Sequence, residues 1–79
     1  MEEIILSILK EGQSAIINRV QEMDLKINRR LIALGFVKNQ KILVVKNFKK
    51  SKNMLVAVRG CCFTIDYSIA DRVFVCSRG

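Results

Sequence analysis

The sequence predicts a mostly β fold with some α structure: a small β-barrel of about five short strands, one inserted helix and one short helical turn. Two observations lead to this fold class. Short runs rich in alternating and β-branched apolar residues occupy residues 14–20, 41–48, 54–59, 61–65 and 73–76, with turn residues between them. Between the first two runs lies the only segment with a full set of helix signals, at residues 24–36. Several short strands around one helix are typical of a small barrel.

The helical segment begins and ends at recognisable residues. Asp24 is a good N-cap, because its carboxylate can accept hydrogen bonds from the free amides of the first turn. Apolar residues that recur at i, i+4 and i+7 share one face, and they are Ile27, Leu31 and Leu34. Gly35 supplies the left-handed C-terminal position, and Phe36 can fold back onto Leu31. A helix of about ten residues is too short to persist alone in water, so we expect it to pack against the barrel.

The strand segments carry further expectations. In the first of them, Ile16 and Val20 are expected to share one face. Residues 41–48 are apolar on both sides, which predicts a strand covered on both faces or one that bends around a barrel corner. Residues 49–53 form a basic hairpin loop. Asp66 can cap the short helical turn that precedes the last strand.

Length and composition indicate one cytoplasmic domain that spans residues 1–79. Three cysteines are an odd number without framework spacing, which favours reduced thiols over a disulfide-stapled secreted fold. No apolar run approaches the ~18 residues that a membrane span requires. The chain starts with Met-Glu-Glu, opposite in charge to the start of a signal peptide, so we expect a complete cytoplasmic protein with no membrane insertion.

The positive charge is unevenly distributed along the chain. The net charge is +7, and residues 25–65 contain ten Lys or Arg residues and no acid. Such polarity suggests an acidic partner, which could be nucleic acid, an anionic membrane surface or an acidic protein; a merely soluble, lysine-rich surface is the alternative interpretation. The candidate partner-binding residues, called the basic arc below, are Arg29, Arg30, Lys38, Lys41, Lys46, Lys49, Lys50 and Lys52.

The residues do not predict a metal site, a cofactor or a catalytic site. The chain has no His, and the remaining candidate metal ligands are Cys61, Cys62, Cys76, Asp66 and Asp71. Cys61 and Cys62 are strand neighbours, so their side chains point to opposite faces and cannot easily bind one ion. Cys61 shares a face with Phe63 and Ile65, and we expect it in the core. Without a His base or an activated cysteine, we expect no enzyme.

Nucleic-acid binding is the main rival function. Small barrels with basic loops bind RNA or DNA, and such sites usually interleave aromatic residues that stack on bases. Here the apolar patterns assign Phe36, Phe48, Phe63 and Phe74 to the core, which leaves only Tyr67 for stacking. Nucleic acid therefore ranks as the second hypothesis for the partner.

Three motifs occur in the order and spacing of a known family. Residues 6–13, Leu-Ser-Ile-Leu-Lys-Glu-Gly-Gln, are similar to its opening Leu-x-x-Leu-x-x-Gly-Gln. Residues 30–36, Arg-Leu-Ile-Ala-Leu-Gly-Phe, are similar to its most recognisable run. The closing pattern is matched by Val58-Arg59-Gly60 followed by Ile65, Ala70, Val73 and Val75. Together these residues resemble the FeoA family, the small cytoplasmic partners of the bacterial ferrous iron transporter FeoB.

The resemblance implies an SH3-like barrel and an accessory role in ferrous iron uptake. The chain would bind the cytoplasmic part of FeoB, a membrane GTPase transporter, and modulate it. The family is also associated with transition metals, which the ligand spacing in this chain does not support. The same domain ends metal-dependent repressors, so a stand-alone, self-associating regulatory domain is a further alternative.

Overall fold

Six antiparallel strands and two helices make up the computed structural model, which describes residues 2–77 apart from the side chain of Ser77. In chain order the elements are β1 (Glu3–Ile5), a 3-10 turn (Leu6–Ile8), β2 (Ser14–Val20), α1 (Leu25–Leu34), β3 (Lys41–Phe48), β4 (Asn53–Val58), β5 (Cys61–Asp66), α2 (Tyr67–Ala70) and β6 (Val73–Ser77). The five predicted strands and both helices lie where the sequence predicts them, to within a residue or two at their ends. Strand β1 is additional, because three residues are too few to show a periodic pattern.

The sheet encloses one apolar core. Its strand order is β1-β6-β2-β3-β4-β5, so β1 and β5 are the two edges. The core cluster has buried members in β2 to β6, both helices and the 3-10 turn, with Phe36 its largest fully buried side chain. Helix α2 follows one edge strand and contacts β4, β5 and the 3-10 turn that follows the other edge. It thereby closes the gap in the sheet, and the predicted SH3-like barrel is confirmed with six strands instead of five.

A bulge in β2 places Ile16 and Val20 on opposite faces of the strand, contrary to the prediction. Pairing with β6 shifts register between Ile17 and Arg19. Ala15 and Ile17 are buried, whereas Ile16 is only half-buried and pairs with the exposed residue at the start of β3. The expectation that Ile16 and Val20 share one face was wrong, because the extra residue in the bulge reverses the alternation between them.

A second bulge bends β3 and reverses its alternation. Pairing with β4 shifts register between Val44 and Lys46, which leaves Val45 as the extra residue. Before the bulge Val44 points into the core, and after it Asn47 points inward while Phe48 points outward and is 45% exposed. Of the two predicted alternatives for residues 41–48, the bend is the observed one.

Helix α1 has the caps and the buried face that the sequence predicts. The Asp24 carboxylate accepts a hydrogen bond from the Lys26 amide at 2.9 Å. Gly35 has φ 103°, and the Phe36 amide donates to the Leu31 carbonyl at 2.9 Å, as in a Schellman C-cap. The predicted core-facing side chains are all in contact with the core, with Leu31 buried and Ile27 and Leu34 partly buried. The apolar stripe and the C-terminal glycine therefore serve packing.

One polar side chain ties three elements together inside the barrel. The Asn47 side-chain amide donates to the carbonyls of Ser7 at 3.1 Å and Leu9 at 2.7 Å. The Tyr67 hydroxyl in α2 donates to the Asn47 side-chain oxygen. The Ser7 hydroxyl in turn donates to the Asp71 carboxylate just after α2. These bonds join the 3-10 turn, β3 and α2 at the closure of the barrel.

We predict that Gly35→Ala lowers the free energy of unfolding by about 2–3 kcal/mol in urea denaturation. About 1–2 kcal/mol follows from placing a Cβ in the left-handed region. The remainder is expected because the new Cβ would lie 3.0 Å from Val58 Cγ1, in the core. The Arg59 side chain, 2.6 Å away, is flexible and can move aside.

Gly60→Ala is the matched control. Gly60 also has a positive φ of 80°, but nothing lies within 4 Å of the position that its Cβ would take. We expect a loss of only about 1 kcal/mol there. Equal losses in the two variants would show that close packing at the end of α1 does not constrain residue 35.

We predict that Asn47→Ala destabilises the fold by about 2–3 kcal/mol, because it leaves two carbonyls and the Tyr67 hydroxyl without their partner. Tyr67→Phe removes a single donor and should cost about 1 kcal/mol. Thermal and urea unfolding of both variants provide the measurement. If Asn47→Ala costs no more than Tyr67→Phe, the two backbone contacts of Asn47 do not stabilise the closure of the barrel.

Candidate functional site

The three basic-arc residues nearest to each other lie in the loop between β3 and β4. Lys49, Lys50 and Lys52 are exposed in this four-residue loop at residues 49–52. Lys52 has a left-handed backbone with φ 56°, and its carbonyl accepts the Tyr67 amide at 2.9 Å. The loop is therefore anchored to α2, which holds its lysines at one end of the barrel.

The remaining residues of the basic arc are spread over the molecule. Lys41 is exposed at the start of β3, eight residues and roughly 25 Å of extended chain from Lys49, and Lys38 is exposed in the turn that precedes β3. Arg29 and Arg30 lie on α1, and both are exposed. Lys46 lies between the two ends of β3 and points outward. The structure thus exposes all eight predicted residues, but it does not bring them together into one patch.

No acidic side chain neutralises the basic arc in the part of the chain that the structure describes. The single ion pair within residues 2–77 joins Arg19 and Glu3 at 3.0 Å, and the Arg19 guanidinium lies 3.9 Å from the centre of the Phe74 ring. Hydrogen bonds from Arg19 and then Asn18 hold the pKa of Glu3 below its ordinary value. This pair links β1 to β2 across β6 and involves no residue of the basic arc.

A groove separates α1 from the edge strand β5. It has a volume of about 240 Å³, and its lining includes Arg30, Phe63 and Asp66. A hydrogen bond from the Ser68 hydroxyl, followed by one from the Ile69 amide, holds the pKa of Asp66 below its ordinary value. Asp66 is thus the N-cap of α2, as predicted, and its carboxylate is already engaged by α2.

The thiols and carboxylates do not converge on a metal position. Within residues 2–77, no group of three or more His, Cys, Asp or Glu side chains is arranged to hold an ion. The prediction that Cys61 lies in the core was wrong, because Cys61 is exposed. Its cross-strand partner Val58 is buried, so Cys61 lies on the predicted side of the sheet. Cys61 is nevertheless exposed, because it is the first residue of the edge strand β5. Cys62, which points to the opposite face, is exposed as well.

The prediction that all four phenylalanines belong to the core was wrong for Phe48 and Phe74. Phe74 alternates with the buried Val73 and Val75 on β6, so it lies on the outer side of the sheet, half-buried under Arg19. Phe36 is buried and its ring centre lies 5.5 Å from that of Phe63, but Phe48 is 45% exposed beside the loop lysines. The cause is the bulge at Val45. A signal for it was present in the sequence, because unbroken alternation would have placed Lys46 in the core beside Val44.

Neither helix of the described residues is long and apolar enough to cross a membrane. What these residues present is an exposed basic arc and an exposed apolar surface on the outer side of β3.

Comparisons with known proteins agree with this architecture. The sequence matches the family model of the FeoA domain over residues 4–76. The zinc complex of Stenotrophomonas maltophilia FeoA, described as a prokaryotic SH3 domain protein, is 34% identical with a TM-score of 0.77, and the match covers 91% of this chain and 88% of that one. Chlorobium tepidum FeoA is 28% identical with a TM-score of 0.81, over 91% of this chain and 68% of that one. A search of curated proteins by sequence finds no match.

The fold also occurs as part of larger proteins. A manganese-dependent transcriptional repressor in complex with manganese has a TM-score of 0.90 and 16% identity, over 99% of this chain and 38% of the repressor. Identity this low shows a shared fold alone. The family model, by contrast, leaves out only the first three and last three residues of the 79. The chain therefore belongs to the FeoA domain family.

Proposed function

We propose that this protein is a cytoplasmic accessory protein of bacterial ferrous iron uptake, which binds the cytoplasmic part of a FeoB-type membrane GTPase transporter and modulates it. Membership of the FeoA family supports the link to iron transport. The S. maltophilia relative has itself been put forward as an activating factor of ferrous iron transport. In this proposal the metal is the cargo of the transporter, and the chain acts by binding without holding a metal of its own.

The observation that carries the proposal is the uncompensated basic arc. Its eight side chains are exposed and none forms an ion pair within residues 2–77. Exposed charges of one sign raise the rate of encounter with an oppositely charged surface and select against like-charged partners. The loop lysines are the strongest part of this arc, because three charges occupy four residues on an anchored loop. An acidic surface on the partner is therefore expected to meet this loop.

We predict that reversing Lys49, Lys50 and Lys52 to Glu weakens binding to the purified cytoplasmic part of FeoB from the same organism by at least about tenfold at physiological salt. The reversal replaces attraction by repulsion at the point of contact. Each substitution removes two units of charge, so the net charge falls from +7 to +1. Titration calorimetry or interferometry at two salt concentrations measures the effect, and circular dichroism checks the fold.

The matched control reverses Arg29, Lys38 and Lys41 to Glu. This variant has the same net charge of +1, but its changes lie on α1 and at the opposite end of β3. We expect a smaller loss that disappears as salt rises, because only long-range attraction is reduced. Unchanged binding by the loop variant would remove the loop from the interface, and wild-type protein that does not bind at all would refute the proposed function.

The exposed Phe48 gives specific support to a second candidate, a module that binds single-stranded nucleic acid. The ring lies at the end of β3, directly before the loop lysines, where it could stack on a base. This candidate predicts salt-dependent binding of oligo(U) and oligo(dT), measured by fluorescence anisotropy. Phe48→Ala should then weaken binding by about 1–3 kcal/mol. Absence of binding at low salt would exclude the candidate.

A further inference from the structure

The outer face of β3, β4 and β5 is a continuous surface whose composition follows from strand register. Cross-strand pairing aligns its outward side chains in three rows, which are Leu43–Ala57–Cys62, Lys46–Leu55–Thr64 and Phe48–Asn53–Asp66. Rows lie about 7 Å apart and neighbouring strands about 4.8 Å apart, so the face measures roughly 14 by 10 Å between side-chain positions. The bulge at Val45 creates this arrangement, because it brings Lys46 and Phe48 to the same side as Leu43.

Four apolar side chains lie on the β3 and β4 part of this face. Leu43 is 38% exposed and Phe48 is 45% exposed, and both are among the large hydrophobic side chains that the structure leaves in solvent. Leu55 and Ala57 lie beside them on β4 and are half-buried, and Lys46 lies between Leu43 and Phe48 on β3. Exposed apolar side chains that share one surface mark an interaction site more often than isolated ones do.

One border of the face is basic. Lys46 lies within it, and Lys49 and Lys50 extend from its Phe48 end. The one acid in the three rows is Asp66, whose carboxylate accepts hydrogen bonds from the Ser68 hydroxyl and the Ile69 amide at the start of α2. The surface therefore combines exposed apolar side chains on β3 and β4 with the positive charge of Lys46 and of the loop lysines that follow Phe48.

This combination selects among the macromolecules that could cover the face. A second copy of this chain carries the same net charge of +7, so association through this face meets long-range repulsion. Single-stranded nucleic acid stacks on a series of rings, whereas Leu43 and Leu55 are aliphatic and Phe48 is the one aromatic residue of the three rows. An amphipathic helix is about 10 Å wide, lays an apolar stripe on such a surface and can carry acids along one flank.

We propose that the outer face of β3–β5 is the docking site for an amphipathic helix with an acidic flank, in which Leu43 and Phe48 contact the apolar stripe and Lys46 and the loop lysines contact the acids. This inference rests on the proposed function, since the helix belongs to the cytoplasmic part of the transporter. It goes further by assigning the contact to aliphatic and aromatic side chains on the sheet, in addition to charge.

The test replaces apolar contact without changing charge. The double variant Leu43→Gln and Phe48→Gln is expected to weaken binding to the purified cytoplasmic part of FeoB by at least about tenfold. The matched control is Leu25→Gln and Ile32→Gln on α1, which removes two apolar side chains that are 62% and 58% exposed. It should bind within about twofold of wild type. All four positions are exposed, and circular dichroism and thermal unfolding verify the fold of each variant.

An NMR titration of the ¹⁵N-labelled chain with the same probe locates the contact. Shift changes centred on β3–β5 support the docking site. If the Leu43/Phe48 variant binds as tightly as wild type while the loop-lysine variant does not, the docking site is overturned and the proposed function stands. If wild type does not bind the probe, both are overturned. Concentration-dependent dimerisation that the double variant abolishes, or oligo(U) binding that it abolishes, would assign the face to another occupant and also overturn the docking site.

Discussion

The extra residue at Val45 determines which side chains of the second half of β3 face the core. A bulge adds one residue to a strand and reverses which side chains face the core from that point onward. Here it turns Asn47 inward, where its amide joins the 3-10 turn and α2 and so closes the barrel. The same step turns Lys46 and Phe48 outward. One local irregularity thus couples the closure of the fold to the composition of its exposed face.

The segment that identifies the family and the surface proposed to bind are different parts of the chain. Leu31, Gly35 and Phe36 belong to the run most similar to the family, and each has a structural reason to be there. Leu31 and Phe36 are buried, and Gly35 combines a positive φ with close contact to Val58. The family pattern is therefore largely a folding signal, and the proposed contacts fall on side chains that packing does not constrain.

The two sides of the barrel differ in how far their charges are neutralised. On the β1–β6–β2 side, Glu3 pairs with Arg19, and the guanidinium of Arg19 covers the Phe74 ring. That aromatic residue is therefore occupied by an internal partner. On the β3–β5 side, Phe48 and the loop lysines have no such partner within residues 2–77. This asymmetry supports the proposal that the β3–β5 side is the one that meets a partner.

Local patterns in the sequence determined the helix, its caps, the five main strands, the basic loop and the family. These features depend on residues within one or two turns of each other, as Asp24, Leu31 and Gly35 show for α1. Only the tertiary structure decided the facing of Ile16 and Phe48, the exposure of Cys61 and the separation of Lys41 from the loop lysines. Bulges, edge strands and distances across a sheet depend on which strands pair and in what register. That pairing joins residues far apart in the chain, so a local pattern can indicate a bulge, as Lys46 does in β3, but cannot fix the register.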